Sequence, residues 1–222
     1  MPHHHAARRG TSSMAAILAG KARLIPVLQV DNADHAEPLL TALESAGIAA
    51  IEVTLRTPAA LEVIRRMSRA ASSATVGAGT LTRPEQFAQI RDAGAGFAVS
   101  PALTPTLAEA AHAVGLPYVP GVATPSEVLR ARELGFHELK FFPADLMGGT
   151  GWLRHMLPLY PDVSFCPTGG ISDRNIGSFL ELANVFAAGG VYLAPAKLIE
   201  AARWEEIRQG ATQSVAVAAP FQ

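Results

Sequence analysis

Eight short apolar runs recur along this chain, and longer segments with helical periodicity separate them. The runs are Leu24–Val30, Ala49–Leu55, Thr75–Ala78, Gly96–Ser100, Tyr118–Pro120, Glu138–Phe142, Val163–Pro167 and Val185–Ala188. The helical patterns between them include Ala36–Ala46, Pro58–Ala70, Pro84–Ala93, Leu107–Val114, Ser126–Leu134 and Asn175–Leu182. Glycines at Gly47, Gly94 and Gly135 mark helix stops, because glycine takes the left-handed cap conformation without steric cost. Helix starts follow Thr57-Pro58, Arg83-Pro84 and Thr124-Pro125-Ser126, where proline suits the first turn. Strands alternating with helices imply a parallel sheet, and eight such units close a barrel. The expectation is an α/β fold, a short (β/α)8 TIM barrel. The alternative is an open doubly wound sheet. Against it, Leu24–Val30 leads into Asp31-Asn32-Ala33-Asp34 rather than a Gly-x-Gly-x-x-Gly turn.

The 222 residues suit one domain with one well-buried core. That domain is expected to span residues 14–222. Residues 1–13 carry His3, His4, His5, Arg8 and Arg9 without an apolar signal core, and read as a mobile leader with Met14 a natural beginning. A net charge of −1 gives no electrostatic case for nucleic acid or an acidic membrane surface. No apolar stretch is long enough to span a bilayer. Cys166 is the only cysteine, so no internal disulfide can form. That fits a reducing compartment, and a cytoplasmic location is expected.

Two strands carry residues foreign to a plain core. In the second, side-chain alternation puts Glu52, Thr54 and Arg56 on one face and Ile51, Val53 and Leu55 on the other. In a parallel barrel the apolar face meets the helices, so the polar face looks inward and rises toward the carboxyl end, where active sites sit. A carboxylate buried there needs a partner, and Arg56 stands near in sequence. In the sixth strand Glu138, Lys140 and Phe142 share one face and Leu139 and Phe141 the other. Lysine occurs only at Lys21, Lys140 and Lys197. An amine set in an apolar strand is either a strand-end cation reaching solvent or a nucleophile that desolvation keeps neutral.

The loops at the carboxyl rim add further candidates. Cys166-Pro167-Thr168-Gly169-Gly170 follows the seventh strand, and Ala188-Gly189-Gly190-Val191 follows the eighth. Double glycines at these two positions suit backbone N–H groups that approach an anion, although each alone reads equally as a tight turn. Thr80 and Pro101 end the third and fourth strands at the same rim. His35, His112, His137 and His155 show no metal-ligand spacing, so no metal site is expected. Cys166 reads as core filler.

Taken together, Ile25-Pro26-Val27, Glu52-Val53-Thr54-Leu55-Arg56-Thr57, Gly77-Ala78-Gly79-Thr80, Ser100-Pro101, Lys140-Phe141-Phe142-Pro143-Ala144 and Cys166-Pro167-Thr168-Gly169-Gly170-Ile171 resemble the 2-dehydro-3-deoxy-phosphogluconate aldolase family, whose members often also cleave 4-hydroxy-2-oxoglutarate. The motifs run in family order from about Leu24 to Ala196. The resemblance implies a cytoplasmic homotrimer of class I barrels acting in the Entner–Doudoroff pathway, without a cofactor. It implies Lys140 as the Schiff-base lysine and Glu52 as the general acid/base. Arg56, Thr80, Pro101, Phe142 and Thr168 would surround the pyruvate half of the substrate, and Gly169, Gly170 and Gly190 its phosphate end. One residue departs from the pattern. Where the family usually has serine beside the phosphate, this chain has Val191. Galactonate-type relatives resemble it less.

The chemistry so implied is aldol cleavage of a 2-keto-3-deoxy acid phosphate to pyruvate and an aldehyde phosphate. Two other readings compete. A phosphate-binding barrel can serve an isomerase or epimerase, with Glu52 as base and Lys140 as a clamp. A non-enzymatic keto-acid-binding barrel needs no reactive lysine at all.

Overall fold

The structure is a computed structural model and describes residues 13–221. Gln222 and, apart from Ser13, the expected leader lie outside the described residues. The strands are β1 (Leu24–Leu28), β2 (Ala50–Thr54), β3 (Thr75–Gly79), β4 (Ala98–Val99), β5 (Tyr118–Val119), β6 (Gly121–Val122), β7 (Glu138–Phe141), β8 (Ser164–Pro167) and β9 (Ala188–Gly190). All of their pairings are parallel. Six strands form a curled sheet in the order β5-β4-β3-β2-β1-β9, and three form a second in the order β6-β7-β8. Only Pro120 separates β5 from β6. Proline has no N–H to give a ladder, while its carbonyl accepts from Lys140 N at 2.8 Å. Isolated parallel bridges Phe165↔Val185 and Thr168↔Gly189 link β8 to the segment ending in β9.

The last strand differs from the expected Val185–Ala188. Pairing with β1 aligns Leu24 with Ala188, Ile25 with Gly189 and Pro26 with Gly190, which draws both glycines into the strand. Gly190 is extended, at φ −154° and ψ 139°, so the second double glycine is not a tight turn. Glycine is needed there for space. A Cβ at Gly189 would lie 2.6 Å from Thr168 Oγ1, and one at Gly190 would strike the Tyr192 ring.

Helices cover the outside at Ala36–Ser45, Ala60–Ala70, Glu85–Asp92, Pro105–Val114, Pro125–Glu133, Gly149–Leu159, Ile176–Leu180 and Trp204–Ala218. Gly47, Gly94 and Gly135 take the left-handed conformation after three of them, as expected. Thr124 caps the helix Pro125–Glu133 through a reciprocal box with Glu127. The helix expected from Pro58 begins only at Ala60. The Thr57 hydroxyl is committed to Val30 O at 2.7 Å, which ties this turn to the end of β1. Gly149–Leu159 is not among the sequence patterns above, because Gly149, Gly151 and Pro158 read as breakers. Among the described residues no helix is long and apolar enough to cross a membrane.

Two apolar clusters follow from side-chain alternation. Ile51 and Val53 of β2 pack with Leu39, Leu43, Val63 and Ile64 of the covering helices. Ile25, Phe97, Val99, Val119 and Cys166 form a second cluster with Met14 and Leu18 on the opposite face of the strands. Met14 belongs to a one-turn helix, Met14–Ile17, whose Ser13 cap accepts from Ala16 N at 3.1 Å. The Glu138 carboxylate on β7 accepts from Met14 N at 2.7 Å and Ala15 N at 2.8 Å. Glu138 thus holds a floor beneath the second cluster. Glu138→Ala leaves two N–H groups without that acceptor and is expected to lower stability by about 1–2 kcal/mol. The urea unfolding midpoint measures this; an unchanged midpoint would mean that burial of Met14 and Leu18 alone holds the helix.

Candidate active site

Glu52 and Thr54 stand on the inner face of β2 and are almost fully buried, at 3% and 2% exposure. Lys140 stands on the inner face of β7, at 6%. Across the interior, Lys140 Nζ lies 3.2 Å from Glu52 Oε1 and 3.5 Å from Oε2. The Phe142 ring centroid is 5.5 Å from the same nitrogen, a distance at which a ring face attracts a cation. On the other face of β7, Phe141 stacks on Trp152 with centroids 4.2 Å apart. The alternation expected for both strands therefore holds.

Arg56 is not the partner of Glu52. It lies four residues along, in the turn past the end of β2, and is exposed. Its Nε donates to Thr80 Oγ1 at 3.2 Å. The buried lysine takes the place that sequence proximity suggested for the arginine.

Gly79 makes the Lys140–Glu52 contact possible. A Cβ on Gly79 would collide with the Glu52 carboxylate, and one on Gly77 would stand 2.5 Å from the Phe97 ring. The next residue, Thr80, sits at φ 63°. A β-branched residue there costs about 1–3 kcal/mol of backbone strain. Neighbouring bonds hold it: Leu55 N to Gly79 O at 2.9 Å and Leu81 N to Val99 O at 3.2 Å.

The other rim candidates are held in place by different means. Thr168 is buried, its N–H donates to Phe141 O at 2.9 Å, and its carbonyl accepts from Ala144 N at 2.8 Å. Gly169 and Gly170 follow at φ 94° and 79°, and Gly169 O accepts from Asp145 N at 3.1 Å. A Cβ on Gly170 would strike Asp145, so this double glycine is a true turn packed against the loop after β7. Pro101 lies where its carbonyl meets Gly121, which has no side chain to obstruct it. The preceding Ser100 hydroxyl is used structurally, 2.6 Å from Ala102 O and 2.6 Å from Tyr118 Oη. Burial pushes the Tyr118 hydroxyl up to about 12.

Glu52, Lys140 and Thr168 line one small void of about 10 Å³ together with Met14 and Cys166. Burial raises the Cys166 thiol to about 12, which keeps it protonated and inert, as expected of core filler. Above it, Thr54, Arg56 and Val191 line a mouth pocket of about 100 Å³. Val191 is 63% exposed. Gln29 also lines this pocket and is absent from the sequence-derived candidates. The signal was available, since Gln29 shares the parity of Ile25 and Val27 and is the one polar side chain in the first apolar run. Among the described residues no three His, Cys, Asp or Glu side chains gather as a metal site requires.

Chemically, a buried amine against a carboxylate supplies a nucleophile and a proton carrier within one hydrogen bond. Gly79→Ala is expected to push the Glu52 carboxylate from Lys140 and cut turnover on the order of 10²-fold, the usual cost of a misplacement near 1 Å. Steady-state turnover, with near-ultraviolet circular dichroism to verify packing, tests this. A folded variant with full turnover would mean that this contact does not govern the rate.

The chain matches the family described as KDPG and KHG aldolase over residues 16–210. It is 43% identical to a 2-dehydro-3-deoxy-phosphogluconate aldolase of Pseudoalteromonas atlantica over 196 residues, which is 88% of this chain and 91% of that one. It is 41% identical over 192 residues to the KHG/KDPG aldolase of Escherichia coli, covering 86% and 90% of the two chains. The crystal structure of a Legionella pneumophila KDPG aldolase, with pyruvate captured as a covalent carbinolamine, superposes with a TM-score of 0.86 at 36% identity, covering 90% of this chain and 97% of that one. By family match, by relatives along nearly its whole length and by fold, this chain belongs to the KDPG and KHG aldolase family.

Proposed function

We propose that this chain catalyses reversible aldol cleavage of 2-dehydro-3-deoxy-6-phospho-D-gluconate to pyruvate and D-glyceraldehyde 3-phosphate through a Schiff base on Lys140. The observation that carries this reading is the buried contact of 3.2 Å between Lys140 Nζ and Glu52 Oε1. Transfer of an Nζ proton to Glu52 leaves a neutral amine, which attacks the C2 ketone. Glu52 returns its proton to the carbinolamine hydroxyl, which leaves as water, giving a protonated imine and a carboxylate again. Glu52 then takes the proton of the C4 hydroxyl, the C3–C4 bond breaks, and its electron pair moves into the imine to form an enamine. Glyceraldehyde 3-phosphate leaves, the enamine takes a proton at C3, and hydrolysis frees pyruvate and the lysine.

Arg56, with Thr80 beneath it, serves as the carboxylate clamp, because a guanidinium fork matches a planar anion. Pro101, Phe142 and Thr168 complete the pyruvate half, and Gly169, Gly170, Gly190 and Val191 border the phosphate end. The ring of strands is read as a closed eight-stranded barrel spanning residues 14–222, with β5 and β6 as one strand interrupted at Pro120. The bridges Phe165↔Val185 and Thr168↔Gly189 support closure at the other seam. Family resemblance supports the homotrimer, the cytoplasmic location, the Entner–Doudoroff role and the absence of a cofactor.

Mass analysis after borohydride reduction in pyruvate tests the Schiff base, since only an imine is trapped; an isomerase or a binding protein gains no mass. Lys140→Arg keeps the charge but loses the nucleophilic amine. It is expected to fold and to show no cleavage, and normal turnover by this variant removes the Schiff base from the mechanism.

A second reading makes 4-hydroxy-2-oxoglutarate the main substrate. It is favoured by the apolar, exposed Val191 at the mouth. A hydroxyl donated to a charged group contributes roughly 1.5–3 kcal/mol. Val191→Ser is therefore expected to raise kcat/KM for the phosphorylated substrate by up to about 10- to 100-fold and to leave 4-hydroxy-2-oxoglutarate nearly unaffected. Equal effects on both substrates place Val191 away from the phosphate.

A further inference from the structure

We infer that Gln29 is a specificity-determining residue that binds the phosphoryl end of the substrate, an inference that rests on the cleavage reaction proposed above. The argument begins with strand register. β1 and β2 are parallel, with Val27 level with Glu52 and Leu28 level with Val53. One step further along, Gln29 stands level with Thr54, on the same inward parity as Val27. It is thus two residues above the Glu52 rung, about 7 Å toward the mouth. Met14 and Leu18 close the opposite end of the interior, so a six-carbon acid held by its second carbon on Lys140 has room for its remaining carbons in that direction.

The mouth pocket that Gln29 lines has two unlike parts. The ends of β1 and β2 bring Gln29, Thr54 and Arg56; the segment after β9 brings Val191, Ala194 and Ala196. The pocket has a single charge, the Arg56 guanidinium, and no acid in its lining. A donor-bearing lining with net positive charge suits an anion. Thr54 Oγ1 is engaged, donating to Leu28 O at 2.8 Å; Arg56 Nε donates to Thr80 Oγ1 at 3.2 Å, and the remaining Arg56 N–H groups are the ones assigned above to the substrate carboxylate. Gln29 is exposed, and no side-chain hydrogen bond engages its carboxamide among the described residues. Its two amide N–H donors remain for a ligand. Val191, which follows β9 on the other side of β1, offers none. Gln29 therefore supplies to a phosphoryl oxygen the side-chain donor that Val191 does not.

The substitutions Gln29→Val and Gln29→Glu separate this role from a solvent-facing side chain. Valine removes the donors, and glutamate replaces the amide with a negative charge of nearly the same shape. The readout is the ratio of kcat/KM for 2-dehydro-3-deoxy-6-phosphogluconate to that for 2-dehydro-3-deoxygluconate, the same acid without its phosphate. Gln29→Val is expected to lower the ratio about 10- to 100-fold, and Gln29→Glu to lower it further by repulsion. The rate of pyruvate imine trapping by borohydride should change far less than the ratio. An unchanged ratio in both variants overturns the inference. So does an equal fall for both acids, which places Gln29 against a hydroxyl, and so does an equal fall in imine trapping, which means that it acts through Arg56. Wild-type protein that forms the imine yet cleaves neither acid overturns the proposed reaction instead, a result told apart from the others before any variant is made.

Discussion

The contact between Lys140 and Glu52 is the constraint around which this interior is built. Taking both charges out of water costs several kcal/mol per ion, and their mutual attraction repays that only with good geometry. Apolar residues of similar volume would serve stability as well or better. A chain that keeps an amine and a carboxylate at 3.2 Å in its interior therefore gains little stability from them, which supports the chemical role proposed above. The surroundings follow from that choice. Gly79 gives up its side chain to the carboxylate, and Phe97 fills the neighbouring space that Gly77 leaves.

The interior is graded along the strand direction. At the bottom, Met14 and Leu18 close the inner cluster, and Glu138 holds their short helix through two backbone N–H groups. In the middle, the ion pair faces Thr168 and the inert thiol of Cys166. At the top, the lining turns polar and exposed, with Gln29, Arg56 and Val191. Dry surroundings strengthen the electrostatics of the pair. The strained Thr80 lies at the junction, where backbone conformation is given up to aim a loop rather than to fill a core.

Much of this was legible along the chain. Strand alternation placed Glu52, Thr54 and Lys140 on inward faces and Ile51, Val53 and Phe141 outward. Gly47, Gly94 and Gly135 marked three helix ends, and Thr124-Pro125 marked one helix start. Other features were not legible, and the reasons are physical. Arg56 was assigned to Glu52 because it is near in sequence, but β2 ends at Thr54 and the turn that follows carries Arg56 out to the mouth. Gly189 and Gly190 read as a turn, yet pairing with β1 made them a strand. Their missing side chains serve the Thr168 hydroxyl and the Tyr192 ring, neither of which is visible in a local pattern. Gln29 escaped notice because a single polar residue near the end of an apolar run does not by itself signal a site.

What the sequence determined by itself was local: which residues alternate, where helices begin and stop, and which few polar side chains face an interior. These follow from backbone geometry and nearest-neighbour sterics, which act over a few residues. What only the tertiary structure decided was partnership. Lys140 and Glu52 are 88 residues apart, on strands whose approach depends on the curl of the whole sheet and on the register of every intervening pairing. The distance between two such groups is a property of packing. No periodicity contains it, because a shift of one residue in any intervening register would send one of the two side chains to the opposite face.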